Sequence, residues 1–108
     1  MSNPPRIWLS NKTPKKGEIV TVRTIVQHVM ETGFRKGEDG KTVPQKIVNK
    51  FDCTLNGKPV ISWTLGTGIS ANPYLEFRFK AEEAGELKMV WIDDDKAVIE
   101  AVEKIMLA

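Results

Sequence analysis

Apolar and polar residues alternate along four long segments of the chain. A period of two is typical of β-strands that bury one face, and β-branched and aromatic residues dominate these segments, as strands prefer. The pattern therefore predicts four strands, each with one inward face. The residues that share a face within each segment are Val20, Val22, Thr24, Val26 and His28; Ile47, Asn49, Phe51, Cys53 and Leu55; Leu75, Phe77 and Phe79; and Leu87, Met89 and Trp91.

Turn-forming pairs lie between such segments. The pair Asn56-Gly57 is the strongest hairpin signal in the chain, because a type I′ turn needs positive φ at both central residues. It should join a strand over 47–55 to a strand over 58–65. The pair Asp39-Gly40 predicts a second hairpin.

The C-terminal run over 97–105 fits two structures. Ile99, Val102 and Ile105 would line one face of a helix, whereas Ala97, Ile99 and Ala101 would alternate along a strand. We favour a strand, because the turn that precedes it is short and acidic and the rest of the chain has strand periodicity.

With a short segment over 6–9, the chain contains about seven strands at the spacing of a β-sandwich. Residues 1–108 are expected to form a single all-β domain, since 108 residues is close to the common domain size. The predicted core consists of large apolar side chains from the inward faces. These are Phe51, Leu55, Phe77, Phe79, Leu87, Met89 and Trp91.

Three apolar residues fall on faces that the alternation predicts to be in contact with solvent. Val48 lies on one strand and Val90 and Ile92 lie on another, each opposite to the core set. An outward apolar patch usually marks a surface that binds a partner protein. The alternative is that a loop or the C-terminal segment covers these residues.

The overall composition excludes few functions by itself. The chain is 41% hydrophobic and 28% charged, and its net charge of +2 is too small to indicate a nucleic-acid partner. Its N-terminal residues do not have the pattern of a Sec signal peptide. No apolar run approaches the roughly 20 residues of a membrane helix. We therefore expect neither nucleic acid nor a membrane as partner.

The single histidine and single cysteine exclude most catalytic and metal chemistry. A blue-copper site needs two histidines with a cysteine, and structural zinc is held by four Cys or His ligands. Cys53 is expected to be a buried thiol, since it follows Phe51 on the inward face. His28 is expected to be a hydrogen-bonding side chain, with a pH-sensitive or ligand role as the alternative. The run Asp93-Asp94-Asp95 lacks the spacing of a calcium loop, so no metal, cofactor or catalytic residue is predicted.

Several motifs in a fixed order resemble the Z subunit of the Sox sulfur-carrier complex. The motifs are HVMETGFR from His28, GEDGKTVP from Gly37, IVNKFDCTLNG from Ile47, ANPYLEF from Ala71, AGELK from Ala84 and WIDDD from Trp91. The resemblance extends from about Pro5 to the end of the chain. It rests on the whole set, because no single motif is a catalytic signature.

The resemblance implies an immunoglobulin-like β-sandwich that forms an obligate heterodimer with a Y subunit in sulfur and thiosulfate oxidation. The Y subunit carries the sulfur intermediate on a cysteine in its own mobile arm, and the Z subunit is non-catalytic. Other Sox enzymes contact the complex transiently. Val48, Val90 and Ile92 are predicted to face the Y subunit. Whether Arg35 and Lys36, near the tip of the second hairpin, help to attract an anionic arm stays open at this point.

The resemblance also changes the expected location of the protein. Sox carriers act in the periplasm, and Z subunits without a signal peptide are exported with their partner. We therefore expect a periplasmic protein. Two other functions stay open: a free-standing immunoglobulin-like binding module, and a thiol enzyme that uses Cys53.

Overall fold

The computed structural model describes residues 5–69 and 71–108, and these residues form seven β-strands and no helix. The all-β prediction is confirmed, and the predicted strand segments agree with the observed ones to within a few residues. The strands are β1 (Arg6–Leu9), β2 (Ile19–Ile25), β3 (Val48–Leu55), β4 (Lys58–Thr64), β5 (Tyr74–Lys80), β6 (Gly85–Asp93) and β7 (Val98–Ile105).

The strands form two antiparallel sheets. One sheet has three strands in the order β1-β2-β5, and the other has four in the order β4-β3-β6-β7. Strands distant in sequence pair at the centre of each sheet, β2 with β5 and β3 with β6. The predicted immunoglobulin-like sandwich is confirmed by this arrangement.

The core lies between the two sheets and contains all seven predicted residues. Phe51 is at its centre, and its ring lies 5.0 Å from the ring of Trp91 in the same sheet. It also lies 5.6 Å from the ring of Phe77, which belongs to the opposite sheet. Tilted aromatic pairs at such distances are favourable beyond their buried area. Phe51 therefore joins the two layers.

The hairpin at Asn56-Gly57 forms as predicted, with φ of 52° and 80° at its two central residues. The Asn56 side chain also fixes the start of β6: its Nδ2 donates to the carbonyl of Ala84, and its Oδ1 accepts the N–H of Glu86. A Cβ atom at Gly85 would overlap the Asn56 carboxamide, and the φ of Gly85 is +150°. Glycine is therefore required at that position.

The second predicted hairpin is irregular. The chain turns back at Gly40, where φ is +77°. Its arms pair only at the isolated bridges Glu31↔Lys46 and Lys36↔Thr42 among the residues described, and no strand forms in either arm.

The C-terminal run is a strand, as predicted. β7 pairs with β6 from Ile92↔Val98 to Gly85↔Ile105. Ile105 is fully buried at the end of this ladder. The segment forms a strand because the edge of β6 offers it a row of backbone hydrogen-bond partners. A short isolated helix would have no such support from the rest of the fold.

The outward orientation predicted for Val48 is wrong. Its side chain is 0% exposed and belongs to the core. The register of β3 against β6 shifts between Val48 and Lys50, which is a β-bulge. A one-residue irregularity reverses the face on which the preceding residues lie. The bulge therefore turns Val48 into the core, and its neighbour Ile47 is buried as well.

Candidate protein-binding surfaces

Cys53 lies in the middle of β3, between Ile61 and Met89 on the neighbouring strands. Its exposed fraction is 1%, and burial raises the pKa of its thiol to about 12. The thiolate is the reactive form of cysteine, and here it is strongly disfavoured. Cys53 packs as a small hydrophobic residue, as the sequence predicts.

His28 forms a hydrogen-bonded cluster three residues beyond β2. Its Nδ1 accepts the N–H of Met30 at 2.9 Å, which assigns the ring proton to Nε2. Nε2 then donates to Asp93 Oδ2 at 3.3 Å, and both side chains are almost fully buried. His28 therefore connects the loop after β2 to the end of β6. The sequence predicts a partly exposed, hydrogen-bonding side chain; the hydrogen bonds are present, but the side chain is almost fully buried.

Asp94 attaches the other end of the connection between β2 and β3 to the end of β6. Its carboxylate accepts the N–H of Ile47 and the side-chain amides of Gln45 and Asn49, at 2.8 to 3.1 Å. These hydrogen bonds, of which that from Asn49 has the largest effect, lower the pKa of Asp94. The acidic run at 93–95 is thus a structural anchor for the long connection between β2 and β3.

Arg35 and Lys36 lie on the irregular hairpin within that connection. Arg35 donates to Glu31 at 2.6 Å, and this bond raises the pKa of Arg35 and lowers that of Glu31. The Glu31 carboxylate therefore offsets much of the attraction that Arg35 would exert on an anionic arm.

Val90 and Ile92 lie on the outer face of the four-stranded sheet and are partly exposed. Ile92 is directly opposite Val98 on β7, and Val102 lies further along the same face. Val98 and Val102 are each about half exposed. These four side chains form the apolar part of an outward surface that we call the neutral face.

The charged residues of the neutral face balance one another. Lys50 lies 3.7 Å from Asp52, and Lys88 lies 3.7 Å from Glu100. Glu86 and Lys104 are opposite each other in the register of β6 and β7. An apolar centre with a charged surround is the usual composition of a protein–protein interface.

Val98 and Val102 were not identified as surface residues from the sequence. The ambiguity between helix and strand over 97–105 left their orientation undefined. The signal in the sequence was an alternation: Val98, Glu100 and Val102 lie on one face of a strand, and Ile99 and Ala101 lie on the other. This alternation identifies the outward face only once β7 is known to pair with β6.

Other kinds of site are not found in the described residues. No group of three or more His, Cys, Asp or Glu side chains there is placed to hold a metal ion. The same residues contain no helix that is long and apolar enough to cross a membrane.

A family model described as sulphur oxidation protein SoxZ matches residues 9–104. The chain belongs to the SoxZ family. The match includes strands β2 to β6 in full and all but the last residue of β7, so membership does not rest on a local motif. A comparison with curated proteins gives no match. Membership of the SoxZ family supports a role in sulfur oxidation by the Sox system.

Solved structures with a similar fold include a sulfur carrier protein and superoxide reductases. The sulfur carrier protein SoxY from Chlorobium limicola f thiosulfatophilum is 14% identical, with a TM-score of 0.63 over 99% of this chain and 81% of that one. A superoxide reductase (neelaredoxin) from Ignicoccus hospitalis is 15% identical, with a TM-score of 0.70 over 99% and 82%. A putative superoxide reductase from Thermotoga maritima is 12% identical, with a TM-score of 0.63 over 100% and 88%.

At these identities the structural likeness shows the fold alone. One fold commonly supports unrelated functions, so the reductases carry no argument about the chemistry of this SoxZ-family chain. The functional argument rests on the family match and on the side chains described above.

Proposed function

We propose that this chain is the non-catalytic subunit of a sulfur-carrier complex and pairs with a SoxY-type subunit. The observation that carries the proposal is the burial of its only cysteine, in a chain that belongs to the SoxZ family. A sulfur intermediate in such a system needs a cysteine that other enzymes can reach. Cys53 is not accessible, so the sulfur is carried on a cysteine of the partner.

A division into two subunits has a physical reason. A carrier cysteine must visit several active sites, and a flexible arm supplies the reach. The arm needs a rigid base, and a stable pair of proteins needs about 800 Å² of contact surface from each partner. The immunoglobulin-like sandwich supplies such a base through its packed core and its two broad sheet faces.

We place the pairing surface on the neutral face, centred on Val90 and Ile92. Aliphatic side chains at its centre lose little solvation on burial, and its charges already have partners on the same face. Val98 and Val102 extend the apolar area to the edge of the sheet. Val48 takes no part, because it is buried in the core.

A periplasmic location is also proposed, and its support is the family resemblance alone. Fractionation of the host cell followed by detection of the chain tests it. Recovery with the cytoplasmic fraction would contradict this part of the proposal and leave the pairing untouched.

Native mass spectrometry of the protein purified gently from its host tests the pairing. We expect a one-to-one complex with a second small protein that carries a sulfur adduct on a cysteine. A bare monomer at the chain's own mass of 12.1 kDa would overturn the proposal and favour a free-standing binding module.

The thiol of Cys53 should resist labelling in the native protein. Because the side chain is buried and its pKa is raised to about 12, a maleimide at neutral pH should react only through unfolding. Labelling is followed by mass spectrometry with and without denaturant, and the denatured chain is the control for full reactivity. Rapid labelling of the folded complex would instead support a thiol enzyme.

A further inference from the structure

The outer face of the three-stranded sheet differs in composition from the neutral face. Its outward side chains come from β1, β2 and β5, and we call it the basic face. They comprise four basic residues, one acidic residue and several exposed apolar or aromatic ones. The residues concerned are Arg6, Trp8, Ile19, Thr21, Arg23, Ile25, Tyr74, Glu76, Arg78 and Lys80.

The charge on this face is larger than the charge of the whole molecule. Four basic groups against Glu76 give the face a net charge of +3, whereas the chain as a whole carries +2. Lys80 is partly compensated by Glu82, 3.5 Å away beyond the end of β5. Among the described residues, neither Arg6 nor Arg78 has an ion-pair partner, so the uncompensated charge is concentrated on these two.

A row of side chains in mutual contact lies between the two arginines. Trp8, Arg23 and Glu76 are opposite one another on the three strands. The guanidinium of Arg23 lies 4.6 Å from the centre of the Trp8 ring and donates to Glu76 at 2.8 Å. The Tyr74 hydroxyl donates to the same Glu76 oxygen at 3.1 Å. These contacts hold two aromatic side chains in place on an exposed surface.

An open groove of about 390 Å³ runs beside this row. Trp8, Ile25 and Tyr74 line it and are each 40 to 55% exposed. Its volume is within the range of ligand-binding clefts. Exposed aromatic residues beside arginine are the residue types enriched at the energetic centre of interfaces.

We propose that the basic face binds an extended acidic segment of a partner protein, which inserts an apolar side chain into the groove. The carboxylates on either side of that apolar residue pair with Arg6 and Arg78. Trp8, Ile25 and Tyr74 receive the apolar side chain. This is a second binding surface, on the opposite side of the sandwich from the neutral face, and it does not depend on the proposed pairing with a SoxY-type subunit.

The spacing of the arginines favours a segment of chain over a small anion. In the register, Arg6 is opposite Ile25 and Tyr74, and Arg78 lies four residues further along β5. The two positions are therefore separated by about 14 Å along the strands and about 10 Å across them. A single small anion cannot contact both, whereas about five extended residues span the distance.

The test uses the full chain and a defined peptide probe. The probe is an acetylated and amidated octapeptide with three glutamates, then phenylalanine and leucine, then three glutamates. Titration at low salt is followed by backbone amide shifts and by tryptophan fluorescence, to which the half-exposed Trp8 contributes together with Trp63 and Trp91. We expect shifts on β1, β2 and β5, and weaker binding as salt screens the charges.

Matched variants separate a built site from general attraction. Arg6→Glu combined with Arg78→Glu should weaken peptide binding by about ten-fold or more, since it reverses two exposed charges. Lys41→Glu combined with Lys96→Glu makes the same change in net charge at two exposed lysines outside both faces, and it should have a much smaller effect. Replacing the phenylalanine and leucine of the probe by serine should also weaken binding and remove the Trp8 response.

Three results would overturn the proposal: no binding of the peptide, shifts located on another surface, or an equal loss of binding for the lysine double variant. The titration is repeated on the complex with the SoxY-type subunit. Retained binding supports a second surface, whereas complete loss would show that the basic face is itself the pairing surface. Absence of any such complex would contradict the proposed function while leaving the peptide result intact.

Discussion

Replacing Phe51 with alanine is expected to destabilise the protein by about 3–5 kcal/mol. The side chain is 0% exposed and contacts aromatic residues of both sheets. Its removal leaves a cavity where the two layers meet. The free energy of unfolding of a domain of this kind is only about 5–15 kcal/mol, so this single change is expected to remove a large part of it. Urea unfolding followed by circular dichroism measures the loss.

The matched control is Phe34→Ala. It makes the same chemical change at a side chain that is 82% exposed, and the expected effect is within about 0.5 kcal/mol. Similar losses for the two variants would contradict the core that the structure describes.

Aspartate at Val90 or Ile92 is expected to weaken the pairing with a SoxY-type subunit by about thirty-fold or more, equivalent to about 2 kcal/mol. Either change would bury a charge at the centre of the proposed apolar contact, where it would have no partner. Affinity is measured by titration of the separately purified subunits, or by native mass spectrometry at decreasing concentration.

Val29→Asp is the matched control for pairing. Val29 is also an exposed valine, with 64% exposure, but it lies in the loop after β2 and outside the neutral face. Circular dichroism and the urea midpoint show whether each variant is folded. A folded Ile92→Asp protein that pairs as tightly as the parent chain would refute the assignment of this face.

The core contains one buried side-chain donor, Nε1 of Trp91, that lacks a hydrogen-bond partner among the described residues. An unsatisfied buried donor has a cost of about 1–3 kcal/mol. Burial of the large apolar ring therefore stabilises Trp91 in the core, whereas burial of its unpaired N–H reduces that stabilisation.

The strands and the core could be predicted because both follow from local chemistry. Alternation with a period of two predicts which side chains are buried, and an Asn-Gly pair adopts positive φ without external help. Phe51, Leu87 and Trp91 were identified as core residues on this basis, and each is fully buried. The same reasoning predicted that Cys53 would be buried and unreactive.

The surfaces could not be predicted to the same degree, because they depend on contacts between distant segments. Val48 was assigned to the wrong face, since a bulge opposite β6 has no signature in β3 alone. Val98 and Val102 acquired an orientation only when β7 paired with β6. The basic face combines β1, β2 and β5, and its residues Arg6 and Arg78 are 72 positions apart in sequence (78 − 6), so its charge cannot be seen in any local window.

The sequence by itself determined the fold class, most of the inward residues and the main hairpin. These depend on residue type and on periodicity within a few positions. The tertiary structure alone decided which strands are neighbours, and hence that one outer face is neutral and the other basic. Strand order and register are set by long-range pairing, because a shift of one residue in register moves every side chain of a strand to the opposite face.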